Sequence, residues 1–263
     1  MIGANVSAAG GLINVFNQVE AWSLESCQFY VKPSRSWKGE MVREEVAVAF
    51  KERRRGSTIK SILGHSALIH NLAGEEEIRR KSVAGIRLEL EIATALGIEQ
   101  LVVHSGYGSL DMLKKGLNEV FSKYSGSARL LLEVSSGQKD SRGANIEELV
   151  KIMQEFKEAK LGVCLDTCHL FAAGYDIRDQ RVFTEIINAT KEYLGAIHLN
   201  DCKGRLGSHL DRHDHIGKGM IGKKTFRTLI RSMTELHIPK VLEIPKPAEM
   251  MAQNLKVIRS FLV

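Results

Sequence analysis

The chain is expected to be an α/β protein, a single (β/α)8 TIM barrel with a metal site at the C-terminal mouth of its strands. Three observations predict this. The 263 residues match the usual size of about 250 for one eight-fold barrel. Eight short apolar runs alternate with eight longer, charged stretches of helical periodicity. The first run is not followed by the Gly-rich phosphate loop that an open, doubly wound sheet would usually carry; SAAGG lacks the spacing.

In chain order the apolar runs cover 2–6, 27–32, 61–64, 100–103, 130–132, 162–165, 196–199 and 240–244. They read as nearly continuous apolar segments, as strands covered on both faces do. Candidate helices lie near 11–22, 39–55, 75–96, 110–124, 146–160, 180–193, 223–236 and 248–261. Strict alternation of the two kinds argues for a parallel sheet with helical crossovers. No low-complexity tract, Ser/Pro-rich linker or break in composition divides the chain, so residues 1–263 are expected to form one catalytic domain.

Composition excludes several classes. With 44% hydrophobic and 26% charged residues, the chain is neither disordered nor collagen-like. Cys27, Cys164, Cys168 and Cys202 are too scattered for a disulfide framework, and reduced thiols in the cytoplasm are expected. No apolar run approaches the roughly 20 residues that span a bilayer, and MIGANVSAAGG has no basic segment before an apolar core, so neither membrane contact nor a secretory signal is expected. The net charge of +6 leans mildly toward anionic partners such as nucleic acid.

The informative feature is what ends the strands. ILGH ends in His65, LVVH in His104 and LLLE in Glu133. VCLDTCH carries Asp166 and His169, AIHLND carries His198, and VLEIP carries Glu243. In a parallel barrel the C-terminal strand ends converge on one mouth, where active sites of this fold sit. If these side chains face inward, the pleat turns Leu63, Val102, Leu131, Cys164, Ala196 and Val241 inward beneath them. Each chelating residue alone has a plainer role, as a hydrogen-bonded histidine or a helix cap. Together, unpaired charges gathered in one mouth would cost several kcal/mol each without cations. Imidazole and carboxylate donors suit zinc, with manganese or iron as substitutes.

A second cluster, HLDRHDHIGKG, follows the seventh strand. His209, Asp211, His213 and His215 alternate there, so an extended segment would present all four on one side. Periodicity does not choose among them.

DTCHLFAAGYD (166–176), HLNDCKGRLGSHLDRHDHIGKGMIG (198–222) and the opening IGANVSAAGG resemble the endonuclease IV family of apurinic/apyrimidinic endonucleases. The resemblance spans nearly the whole chain. It implies an eight-stranded α/β barrel holding three zinc ions. His65, His104 and Glu133 would hold one ion. Glu133 would bridge to a second, held also by Asp166, His198 and Glu243. His169, Asp211 and His213 would hold the third, leaving His209 and His215 as bystanders and His70 and His237 in surface or packing roles.

The activity implied is zinc-dependent hydrolysis of the phosphodiester 5′ to abasic sites in double-stranded DNA, leaving a 3′-hydroxyl and a 5′-deoxyribose phosphate. Glu133 would also serve in catalysis, orienting or deprotonating the nucleophile. Arg35 in KPSRSW and Leu68 with Ile69 in HSALIHN would be the loop side chains that enter the duplex. Lys32, Arg35 and Lys38 follow the second strand and Lys203, Arg205, Arg212 and Lys218 the seventh, in loops on the side of the barrel where they would touch phosphates. The chain departs from many relatives at Leu68, where an aromatic is usual, at Asn5 in place of His, and at EVSSG (133–137). The protein is expected to act as a monomer.

Two other readings compete. A sugar isomerase or epimerase of the same barrel type uses donors like Glu133, Asp166, His198 and Glu243, but leaves His65, His104, His169, Asp211 and His213 without a purpose. A non-enzymatic, metal-stiffened DNA-binding module is less suited to these donors, because structural zinc sites favour closed, Cys-rich shells.

Overall fold

The computed structural model describes residues 1–262. Its strands are β1 (Ile2–Asn5), β2 (Ser26–Tyr30), β3 (Ser61–His65), β4 (Gln100–His104), β5 (Arg129–Glu133), β6 (Leu161–Asp166), β7 (Leu194–His198), the short β8 (Asp201–Cys202) and β9 (His213–Asp214), and β10 (Lys240–Leu242). All but β8 and β9 pair in parallel and close into a barrel ordered β1-β10-β7-β6-β5-β4-β3-β2. Closure occurs at β1, where Gly3 stands between Ser26 and Val241.

The surrounding helices are α1 (Val15–Ala21), α2 (Glu44–Arg55), α3 (Glu76–Leu96), α4 (Leu110–Phe121), α5 (Ile146–Glu155), α6 (Thr167–Ala173), α7 (Gln180–Thr190), α8 (Lys223–Ser232) and α9 (Pro247–Arg259). The longer helices bury apolar stripes: α5 turns Ile146, Leu149, Ile152 and Met153 to the sheet, at helical spacing. Local chemistry sets the ends. The Ser109 and Asn145 side chains accept the Met112 and Glu148 backbone N–H groups, capping α4 and α5. The long α3 stops at Gly97, whose φ of 71° suits a residue without Cβ.

Two apolar cores result. The larger fills the space between strands and helices. The smaller consists of Leu63, Val102, Leu131, Cys164, Ala196 and Val241 inside the barrel. This is the inward layer that the pleat predicts, and it lies one residue pair below the chelating strand ends. Register completes the alignment, with His104 opposite Glu133 and Asp166 opposite His198.

The structure departs from sequence expectation in detail. Several helices are shorter than periodicity suggests; the stretch expected over 146–160 stops at Glu155. The helix α6 inside DTCHLFAAG is not among those expected. The Asp166 carboxylate starts it by accepting the His169 N–H at 2.9 Å, so a chelating candidate is also a cap. The segment after β7 folds into the antiparallel β8–β9 ribbon, pairing Cys202 with His213.

Candidate metal centre

Strand ends, one short helix and the ribbon deliver nine donor side chains to one place. Three sets arise in which the donor atoms lie within 4.8 Å of one another: His65, His104 and Glu133; Glu133, Asp166, His198 and Glu243; and His169, Asp211 and His213. These are the groupings the family resemblance implies, the first two sharing Glu133. Most are deeply buried; Asp211, His213, His104 and Glu243 are half-buried and open the cluster to solvent.

Hydrogen bonds fix which imidazole nitrogen carries the proton. Nδ1 of His65 bonds to the Ser66 carbonyl at 2.8 Å, that of His169 to the Val134 carbonyl at 2.9 Å, and that of His213 to the Glu243 carbonyl at 2.9 Å. A carbonyl only accepts, so Nδ1 donates in each case, and in the neutral ring that a cation requires Nε2 is left with a lone pair. His198 is reversed. Gln28 donates its amide N–H to the Glu243 carboxylate, which turns its Oε1 toward His198 Nε2 at 2.9 Å. Nδ1 of His198 then faces Glu133 Oε1 at 2.9 Å and Glu243 Oε2 at 3.2 Å.

This arrangement fits divalent cations. Among the described residues, Glu133 Oε2, His169 Nε2 and His213 Nε2 are buried without a hydrogen-bond partner. His169 Nε2 is nevertheless 3.2 Å from Asp211 Oδ1, and Glu133 Oε2 is 3.4 Å from His65 Nε2 and 3.5 Å from His104 Nε2. Buried acceptors facing one another are costly unless a proton or a cation lies between them. Imidazole and carboxylate donors with partnered far sides are what zinc-type ions use.

Protons feel the same field. Burial pushes the His169 imidazole down, yet Asp166, Asp211 and Glu133 outweigh it; burial pushes His198 down too, yet Cys164, Glu243 and Glu133 outweigh it, and both are held well above the usual range. His65 is raised too, by Glu133 and Glu243 against burial, whereas burial holds His104 down. Burial pushes the Glu133 carboxyl up, but His104, His198 and His169 carry it well below the ordinary carboxylate range.

Sequence reasoning missed the supports. Gln28 is buried on β2 in an otherwise apolar run, which was the available signal. Asn200 donates to Asp166 Oδ2 at 2.6 Å and accepts the Glu243 N–H at 2.8 Å, locking two donors of one set. Tyr30 packs its ring 5.0 Å from that of His65. Cys168 offers its sulfur to an overlapping set with Asp166 and His213, but the neighbouring Cys202 thiol and burial push it up, keeping it neutral. His209 and His215 stay outside the donor sets, against the Ser136 carbonyl and Asn254.

Around the mouth, Arg35, Lys203 and Arg212 reach solvent, Leu68 is 45% exposed and Ile69 is half-buried. The Leu68 N–H donates to the Ser34 carbonyl at 2.8 Å, so the loops after β2 and β3 touch. Lys203 and Arg212 are ribbon neighbours, the Lys203 N–H bonding to the Arg212 carbonyl. Lys32 does not share this exposure. It is buried against Glu89 at 3.5 Å, because its ammonium completes a polar cluster beneath the loop. His70 is buried too, in the packing role. A cavity of about 230 Å³ opens beside the donors, lined by Leu68, Tyr107, His104, His169 and Asp211 among others.

Known proteins resemble this chain along nearly its whole length. Residues 16–261 match the family described as xylose isomerase-like TIM barrel. The chain is similar to the probable endonuclease 4 of Aquifex aeolicus, 36% identical over 273 residues, covering 98% of this chain and 96% of that one. Its structure is similar to that of endonuclease IV from Thermus thermophilus, with TM-score 0.90, 33% identity and coverage of 99% and 98%. A D-tagatose 3-epimerase-like protein shares the fold alone, at TM-score 0.70 and 18% identity, covering 100% of this chain and 99% of that one.

Proposed function

This chain belongs to the endonuclease IV family, and from that premise we propose that it hydrolyses the phosphodiester 5′ to apurinic/apyrimidinic sites in double-stranded DNA. Cutting the P–O3′ bond there leaves a 3′-hydroxyl and a 5′-deoxyribose phosphate. The observation that carries the reading is the meeting of three donor sets in one mouth, two of them sharing Glu133, with the far side of each of four imidazoles tied to a carbonyl or amide oxygen.

We assign three zinc ions to these sets, with manganese or iron as substitutes: His65, His104 and Glu133; Glu133, Asp166, His198 and Glu243; His169, Asp211 and His213. Ions bound there would neutralise phosphate charge and activate water as the nucleophile. The chain's own part is orientation and proton handling. Glu133, the carboxylate common to two sets, is the group to orient the attacking water and take its proton. Gln28 and Asn200 hold His198, Asp166 and Glu243 in register. Arg35, Leu68 and Ile69 enter the duplex beside the abasic nucleotide, while Lys203 and Arg212 bind phosphates. We read residues 1–263 as one catalytic domain acting as a monomer in the cytoplasm.

The test is a duplex carrying one tetrahydrofuran abasic analogue, which cannot undergo β-elimination. Purified zinc-loaded protein should nick it on the 5′ side and leave an extendable 3′-hydroxyl. Tight binding with both strands intact would contradict hydrolysis.

A further inference from the structure

Glu89, on α3, is 0% exposed and belongs to none of the donor sets. Four groups converge on its carboxylate. Ser66 donates its hydroxyl, Ala67 its backbone N–H at 3.0 Å and His70 its Nε2–H at 3.1 Å. Lys32 brings its ammonium to 3.5 Å. The first three come from the loop after β3, the fourth from the loop after β2. The Lys32 ammonium also donates to the Ser36 carbonyl at 2.7 Å, gripping its own loop one residue past Arg35.

The surroundings are shaped for this cluster. A Cβ at Gly85, inside α3, would lie 2.3 Å from the His70 ring. A glycine within a helix is destabilising relative to alanine, and here its lack of a side chain admits the imidazole. The Trp37 ring meets His70 edge-on at 5.4 Å, adding a contact between the two loops. Removing one partner of such a buried charged network leaves the others uncompensated.

We propose that Glu89 is a positioning residue that joins the two mouth loops into one rigid unit, so that Arg35 and Leu68 engage abasic duplex together. This deepens the function proposed above and rests on its assignment of the two loops to DNA. Lys32, buried and paired, acts within this tie and not on phosphate.

The test uses the zinc-loaded full chain and the tetrahydrofuran duplex, with Glu89→Gln, Lys32→Met and Arg35→Ala alone and combined. Glu89→Gln should raise KM about 10-fold, leave kcat within about two-fold and leave bound zinc unchanged. Lys32→Met, which keeps the other three partners of Glu89, should shift KM in the same direction, and it carries the test if Glu89→Gln fails to fold. Arg35→Ala should raise KM by a similar factor, and adding it to either variant should cost little more, because a wedge already released cannot be lost again. Multiplication of the separate losses to about 100-fold would overturn the proposal, as would a fall in kcat or bound zinc at unchanged KM. If wild-type protein leaves the analogue uncut, the incision reading fails, and equilibrium binding of abasic against intact duplex by the same variants decides the tie.

Discussion

Asp211 Oδ1 lies 3.2 Å from His169 Nε2, yet the two make no hydrogen bond. The imidazole donates its Nδ1–H to the Val134 carbonyl on its far side. Asp211 comes from the half-exposed ribbon segment and His169 from a buried helix turn, so this donor set closes only when the ribbon folds over the barrel.

Asp211→Ala is therefore expected to remove one ion and spare the other two. Inductively coupled plasma measurement should give about two zincs per chain, with thermal stability close to wild type. Loss of all three would mean that the sets do not fill independently.

Glu133 joins two sets and is the proposed proton-handling group. Glu133→Gln should lower turnover on abasic duplex more than about 100-fold, the usual combined weight of acid–base and metal terms. Affinity for the same duplex should change much less. Equal losses in turnover and affinity would contradict the role.

Gln28 holds His198 Nε2 on one side and the Glu243 carboxylate on the other. Gln28→Leu keeps the volume but frees both. Partners of this kind typically matter about 10–100-fold in metal affinity. Competition with a chelator should show one ion leaving at correspondingly lower chelator concentration. An unchanged titration would make Gln28 a packing residue.

Chelator-stripped protein should show an unusual pH profile. His65, His169 and His198 are raised in the fold. Their stabilisation is complete below the unfolded value of about 6.5 and is lost as pH rises through the folded values. Glu133 and Asp211 are depressed, so their contribution is present above about pH 4 and lost as pH falls through the folded values. Within the donor sets, His104, lowered by burial, opposes the trend. Stripped protein should melt highest between about pH 4.5 and 6.5 and lower at about pH 9, where zinc-loaded protein holds. A melting temperature that climbs from about pH 6.5 to 9 after stripping would contradict this.

The parts legible in the sequence share one cause. Period-two alternation in strands turned Leu63, Val102, Leu131, Cys164, Ala196 and Val241 inward along with the donors above them, and the interior core has that membership. Turns and ribbons carry no such period. The α6 helix is seven residues long, too short for an apolar stripe to declare itself, and β8–β9 has two residues a side. Gln28, Asn200 and Glu89 escaped notice because each acts by a bond between segments distant in sequence. Lys32 misled for the same reason: a basic residue in a mouth loop reads as facing DNA until its buried partner on α3 is seen.

Three ions sharing one mouth are what the proposed chemistry requires, and anomalous diffraction at the zinc absorption edge tests that directly. Three peaks are expected: one among His65, His104 and Glu133, one among Glu133, Asp166, His198 and Glu243, and one among His169, Asp211 and His213. A single peak confined to the four-residue set, with the other donors hydrogen-bonded to one another, would contradict it.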